Sequence, residues 1–197
     1  MNKRILLSGL TILTTVMMVT ASTFAFFSSQ GQSLGNTFST GSLDLRLEDG
    51  NETNATTVTA SFGGNLAPGQ CAPSATLFLK NAGTVVANHV AITVTNALTD
   101  TNDNAAVDMH NFLKLQTLTY DGADVSPSLT DANGNGFADL ADWQVMAGGL
   151  DNLALNNLDS SHPLVVEVCL DESAPNTIQG DSVTTDLTAI LNQDASQ

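Results

Sequence analysis

Apolar and polar residues alternate with period two over several short stretches of the chain, and turn-forming residues separate them. Residues 41–47 place Leu43, Leu45 and Leu47 on one face and Ser42, Asp44 and Arg46 on the other. That is the pattern of a half-buried strand. The same reasoning predicts strands at 56–62, 75–80, 89–96, 112–120, 163–170 and 182–191. In 112–120 the phase is set by Leu113, Leu115 and Thr117, and Phe112 falls outside it. Gly63-Gly64-Asn65, Pro68-Gly69 and Asn81-Ala82-Gly83 punctuate the series. One stretch departs from it. Leu140, Trp143 and Met146 recur at helical spacing before Gly148-Gly149, which predicts a short helix over 138–146. Trp143 is expected to pack that helix against the sheet. Residues 131–158 then form an insertion in an all-β chain, a jelly-roll-like β-sandwich.

The N-terminus follows a different pattern. Lys3 and Arg4 precede an apolar run at 5–19 broken by Ser and Thr, and Thr23-Phe24-Ala25 is a small-x-small site. This order predicts a secretory signal peptide over 1–25. A retained membrane anchor and a pilin-type signal cut before the apolar run are the alternatives. About 170 residues remain after cleavage, enough for one domain with a core. A polar arm at 26–40 leads into that domain, 41–197. Of five Lys and Arg, Lys3 and Arg4 fall in the leader, which leaves three against 20 acidic residues. Nucleic acid and anionic membrane are poor partners for such a surface, and cations are good ones.

Cys71 and Cys169 both fall in the exported part of the chain. An oxidising compartment favours an intradomain disulfide between them, with two free thiols as the alternative. Residues 131–142 read DANGNGFADLAD. Oxygen-bearing side chains fall at Asp131, Asn133, Asn135, Asp139 and Asp142, Gly136 at the sixth position, and Phe137 at the seventh, where a backbone carbonyl is needed. This is EF-hand-type spacing and predicts a Ca2+ site of modest affinity. The incoming helix is missing, because Ser126-Pro127-Ser128 does not read as helix. An Asx-rich surface turn is the competing reading. The sequons at Asn51 and Asn54 mark an exposed loop. The histidines, His89, His110 and His162, are scattered, and no H-E-x-x-H or G-x-S-x-G occurs, so no catalytic residues are assigned.

Several segments then carry a resemblance in their order and spacing. They are Ala25-Phe26-Phe27-Ser28, GNTFSTGSLDL at 35–45, Ala67-Pro68-Gly69, LKNAGT at 79–84, and NTIQGDSVTTDLTAILNQ at 176–193. Together they resemble the TasA/camelysin family of secreted proteins, including related archaeal pilins. The resemblance implies a jelly-roll domain and extracellular fibres of the biofilm matrix. It also implies polymerisation by donor-strand complementation. The donor would be Phe26, Phe27, Ser28, Ser29, Gln30, Gly31, Gln32, Ser33 and Leu34, pairing with an open sheet edge on the next subunit. The partner is thus the chain itself, with accessory matrix proteins as further candidates, and the contact propagates without closing. Some members of that family have been called metalloproteases, an activity these residues do not support. A monomeric, calcium-dependent surface-binding module is the alternative to a filament subunit.

Overall fold

The computed structural model describes residues 3–22, 41–49, 55–56, 65–101, 108–155 and 157–194. The arm at 26–34, both sequon asparagines and nearly all of the expected strand at 56–62 lie outside them. The chain divides into two units, Met1–Ser39 and Thr40–Gln197. In the first, helix α1 (Lys3–Ser22) carries the apolar run at 5–19. Among the described residues no helix is long and apolar enough to cross a membrane.

The second unit is an all-β sandwich of two antiparallel sheets with a short helical insertion. Its strands are β1 (Leu45–Glu48), β2 (Ala75–Asn81), β3 (His89–Thr99), β4 (Leu113–Tyr120), β5 (Ala123–Asp124), β6 (Leu150–Leu153), β7 (Ser161–Leu170) and β8 (Ser182–Asn192). One sheet has the order β1-β2-β7-β4-β5 and the other β6-β3-β8. Three long-range pairings tie the strands together, β2 with β7, β4 with β7, and β3 with β8, the last in register from His89↔Asn192 to Thr99↔Ser182. Leu79, Val90, Ile92, Leu118, Leu155 and Leu164 are almost wholly buried between the sheets. Burial of this kind is the main force holding the layers together.

The structure adjusts several expected elements. Residues 41–44 precede β1 and are not strand, although Ser42 and Asp44 accept bonds from Thr84 and Ala82 backbone N–H groups. A Cβ on Gly83 would lie 2.2 Å from the Ser42 carbonyl oxygen, so only glycine admits this approach. The strand expected at 112–120 begins at Leu113, because Phe112 ends a 3-10 turn, Met109–Phe112. Its phase also reverses: Leu113 and Leu115 are buried, and after a register shift between Leu115 and Thr117 it is Leu118 and Tyr120 that face the core. A bulge adds one residue to one strand and moves every later side chain to the other face. Residues 150–153, read as part of the insertion, are a strand of the smaller sheet, since Leu153 pairs with Val90 and Leu150 with Ile92.

Candidate functional site

The insertion builds from its capping residues. Helix α2 (Leu140–Val145) is shorter than the expected 138–146 because Asp139 is its N-cap. The Asp139 carboxylate accepts from the Asp142 N–H at 2.8 Å, and the Asp142 carboxylate accepts from the Asp139 N–H at 3.2 Å. This reciprocal box satisfies two helix-end donors. Trp143, only 1% exposed, donates its indole N–H to the Ile92 carbonyl at 3.2 Å and so ties the helix to β3. The backbone then approaches β3 closely at Gly149, where φ is +70° and a Cβ would sit 2.3 Å from the Ile92 carbonyl oxygen.

The six expected Ca2+ residues lie around this cap. Asp131 accepts from the N–H groups of Gly134, Asn135 and Gly136, which curls the loop, with Gly134 and Gly136 in the left-handed region. Asn133 and Asn135 both donate side-chain amides to one Asp139 carboxylate oxygen, at 2.8 and 2.7 Å. Three expected ligands therefore meet at one point. Turning the two amides over would present oxygens there instead of N–H groups. Asp142 is engaged by the Ala132 and Asp139 N–H groups. Phe137 donates its N–H to the Asn135 side chain, and its ring lies 5.8 Å from the Lys114 ammonium. The loop exit is pinned to β4 by the Leu115 N–H bond to the Ala138 carbonyl. Desolvation pushes the Asp139 carboxyl above the usual aspartate range, since both Asp139 and Asp142 are almost wholly buried. A divalent cation at Asp139 would offset that cost, but the carboxylates of Asp131, Asp139 and Asp142 do not all lie within 4.8 Å of one another.

One residue at this site was not legible in the sequence. Asn111 accepts from the Asn135 amide through its backbone carbonyl at 2.9 Å, and from the Asn133 amide through its side chain at 3.4 Å. It arrives from the 3-10 turn before β4, where the loop pattern gives no signal. It brings more oxygen to the side that lacks an incoming helix.

A second candidate lies on β8. Among the described residues β8 pairs with β3 alone, so its other edge carries backbone groups without a ladder partner. The inner face of β8, from Val183 through Leu187 to Leu191, is only half-buried, whereas Val90, Ile92 and Val94 opposite on β3 are buried. Beside it opens a cavity of about 990 Å³ between the sheets, with Leu113, Trp143, Val166 and Val168 among its walls.

The histidines are held apart by separate partners. His89 lies 3.2 Å from an Asp151 carboxylate oxygen, and His162 lies 2.6 Å from Asp121 while stacking on Tyr120. Among the described residues, ligand atoms of three His, Cys, Asp or Glu side chains converge within 4.8 Å only at Cys71, Glu167 and Cys169. There the two cysteines form a disulfide across a sequence separation of 98 residues.

Comparison with curated proteins finds no match. A family model described as camelysin metallo-endopeptidase spans residues 1–197, with the β-sandwich inside that span, and the chain therefore belongs to the camelysin family.

Proposed function

We propose that the protein is a secreted structural subunit of an extracellular filament, polymerising when residues 26–34 of one copy add a strand to the sandwich of the next. Camelysin membership supports an extracellular or cell-surface, matrix-related role at the level of the family. The observation that carries the finer reading is the edge of β8 with the half-covered face beside it. An unpaired strand edge is a template for another strand. An extended nine-residue arm reaches about 30 Å, close to the roughly 36 Å of an 11-residue strand such as β8. Phe26, Phe27 and Leu34 bring apolar side chains to a cavity whose walls include Leu113, Trp143, Val166 and Val168. The family description names a metallo-endopeptidase; the absence of H-E-x-x-H favours the structural role for this chain.

Electron microscopy of the mature protein at rising concentration tests this. Filaments are expected, and their loss on deleting 26–34 while the monomer stays folded. Cross-links from Ser29 to Thr184 between isotopically distinct copies are expected in the polymer. The same cross-link formed only within one copy, or a protein that never polymerises, overturns the reading.

Calcium binding by Asp131, Asn133, Asn135, Phe137, Asp139 and Asp142 forms part of the proposal, supported by the convergence at Asp139. Bound Ca2+ would neutralise buried carboxylate charge and stiffen the loop against β4. At 100 times its Kd, Ca2+ would stabilise the fold by ~2.7 kcal/mol. Calorimetry at millimolar Ca2+ with no heat of binding would remove this part alone. A chain that stays monomeric and captures glycan or protein only with Ca2+ would favour the binding-module alternative. Peptide cleavage blocked by a zinc chelator would favour the family's named activity.

A further inference from the structure

We propose that Cys71, Glu167 and Cys169 form a redox-gated site for a divalent metal of the zinc class, closed while the disulfide stands and opened by its reduction. Cys169 and Glu167 are two residues apart on β7 and so share one face of the sheet. Cys71 lies directly across from Cys169. Flanking backbone bonds, Ala72 N–H to the Val168 carbonyl and Leu170 N–H to the Gln70 carbonyl, both 2.8 Å, hold the two cysteine-bearing segments in register whether or not the sulfurs are joined. The three ligand atoms already lie within 4.8 Å of one another.

The chemistry of this set is specific. Two thiolates and one carboxylate suit zinc, with a fourth tetrahedral position left for water. Thr117 donates its hydroxyl to one Glu167 carboxylate oxygen at 2.8 Å, the kind of supporting bond that orients a metal ligand. Lys114 is the cross-strand partner of Cys169, so both residues fall on one face of the sheet. Cys71 is exposed while Cys169 is buried. An external dithiol therefore attacks the Cys71 sulfur. The S–S bond breaks, Cys169 leaves as a thiolate, and the second thiol of the reductant displaces Cys71. Two electrons pass to the protein, the reductant ends as a disulfide, and two protein thiols result. Metal binding then releases their two protons.

The test uses the mature protein, oxidised and after reduction by a dithiol that is then removed. Zn2+ is titrated against a chromogenic chelator, and Co2+ is added separately to seek thiolate-to-cobalt charge-transfer absorption. The reduced protein is expected to bind one more equivalent of Zn2+ than the oxidised protein, whose binding reports the acidic loop. It is also expected to show the charge-transfer band. Cys71→Ser should lose both. Glu167→Gln, which leaves the disulfide intact until reduction, should weaken Zn2+ tenfold or more when reduced alongside the parent. Equal Zn2+ binding before and after reduction overturns the proposal. So does unchanged affinity in Glu167→Gln, or loss of the strand signal in circular dichroism on reduction alone. Filament formation is not a readout, so the result does not depend on the filament reading.

Discussion

Asp139 shows how one buried carboxylate links stability to pH. Its folded-state pKa is raised above the ordinary value of 3.8, chiefly by desolvation, so the folded state binds the proton more tightly than the unfolded state. Stability must then fall as pH rises from that ordinary value through the raised one. Urea unfolding across that window is expected to show this slope, and Asp139→Asn, which cannot ionise, is expected to remove it. Ca2+ should counter the loss, raising Tm more at neutral pH than below the window. Trp143 makes a simpler case. It fills the space between helix and sheet and satisfies the Ile92 carbonyl. Trp143→Ala should cost about 3–5 kcal/mol in chemical denaturation.

At the scale of elements, β8 and the β7 disulfide carry the testable consequences. Leu187 sits on the half-covered inner face of β8 and lines the cavity. Leu187→Lys places a charge where a donated strand would pack, while a half-buried position lets the ammonium reach water. Monomers with native circular dichroism but no filaments are the expected outcome. The disulfide closes a sequence separation of 98 residues, and removing it by Cys71→Ser with Cys169→Ser should cost about 3–5 kcal/mol in the chain-entropy model. The β4 bulge marks where element-level pattern reading went astray. Strict alternation from Leu113 predicts Thr117 inside, whereas Leu118 is buried. The extra residue at the shift belongs to the pairing with β7, which a single strand's alternation does not express.

At the scale of the molecule, most of the sandwich was legible and part of the site was not. Most strand positions among the described residues, the all-β class, the helix around Trp143 and the disulfide partners follow from alternation, turn residues and cysteine arithmetic. The sheet order does not, because β3, which ends at Thr99, meets β8, which begins only at Ser182. The β8 edge that has no ladder partner among the described residues is recognised only once that order is known. The proposed filament growth through that edge would be a property of two copies, so its concentration dependence is the measurement that belongs here.

The chain's own order of residues determined what local physics decides. Period-two alternation sets strands, Gly and Asn set turns, Asp139 and Asp142 three apart set a helix cap, and two lone cysteines set a bridge. Tertiary structure alone decided which residues from distant segments share a point in space. Asn111 joins the acidic loop, Glu167 faces the paired sulfurs, and residues 150–153 complete a sheet. Each of these depends on contacts between segments whose sequences carry no mutual period, and only burying one shared core brings them together.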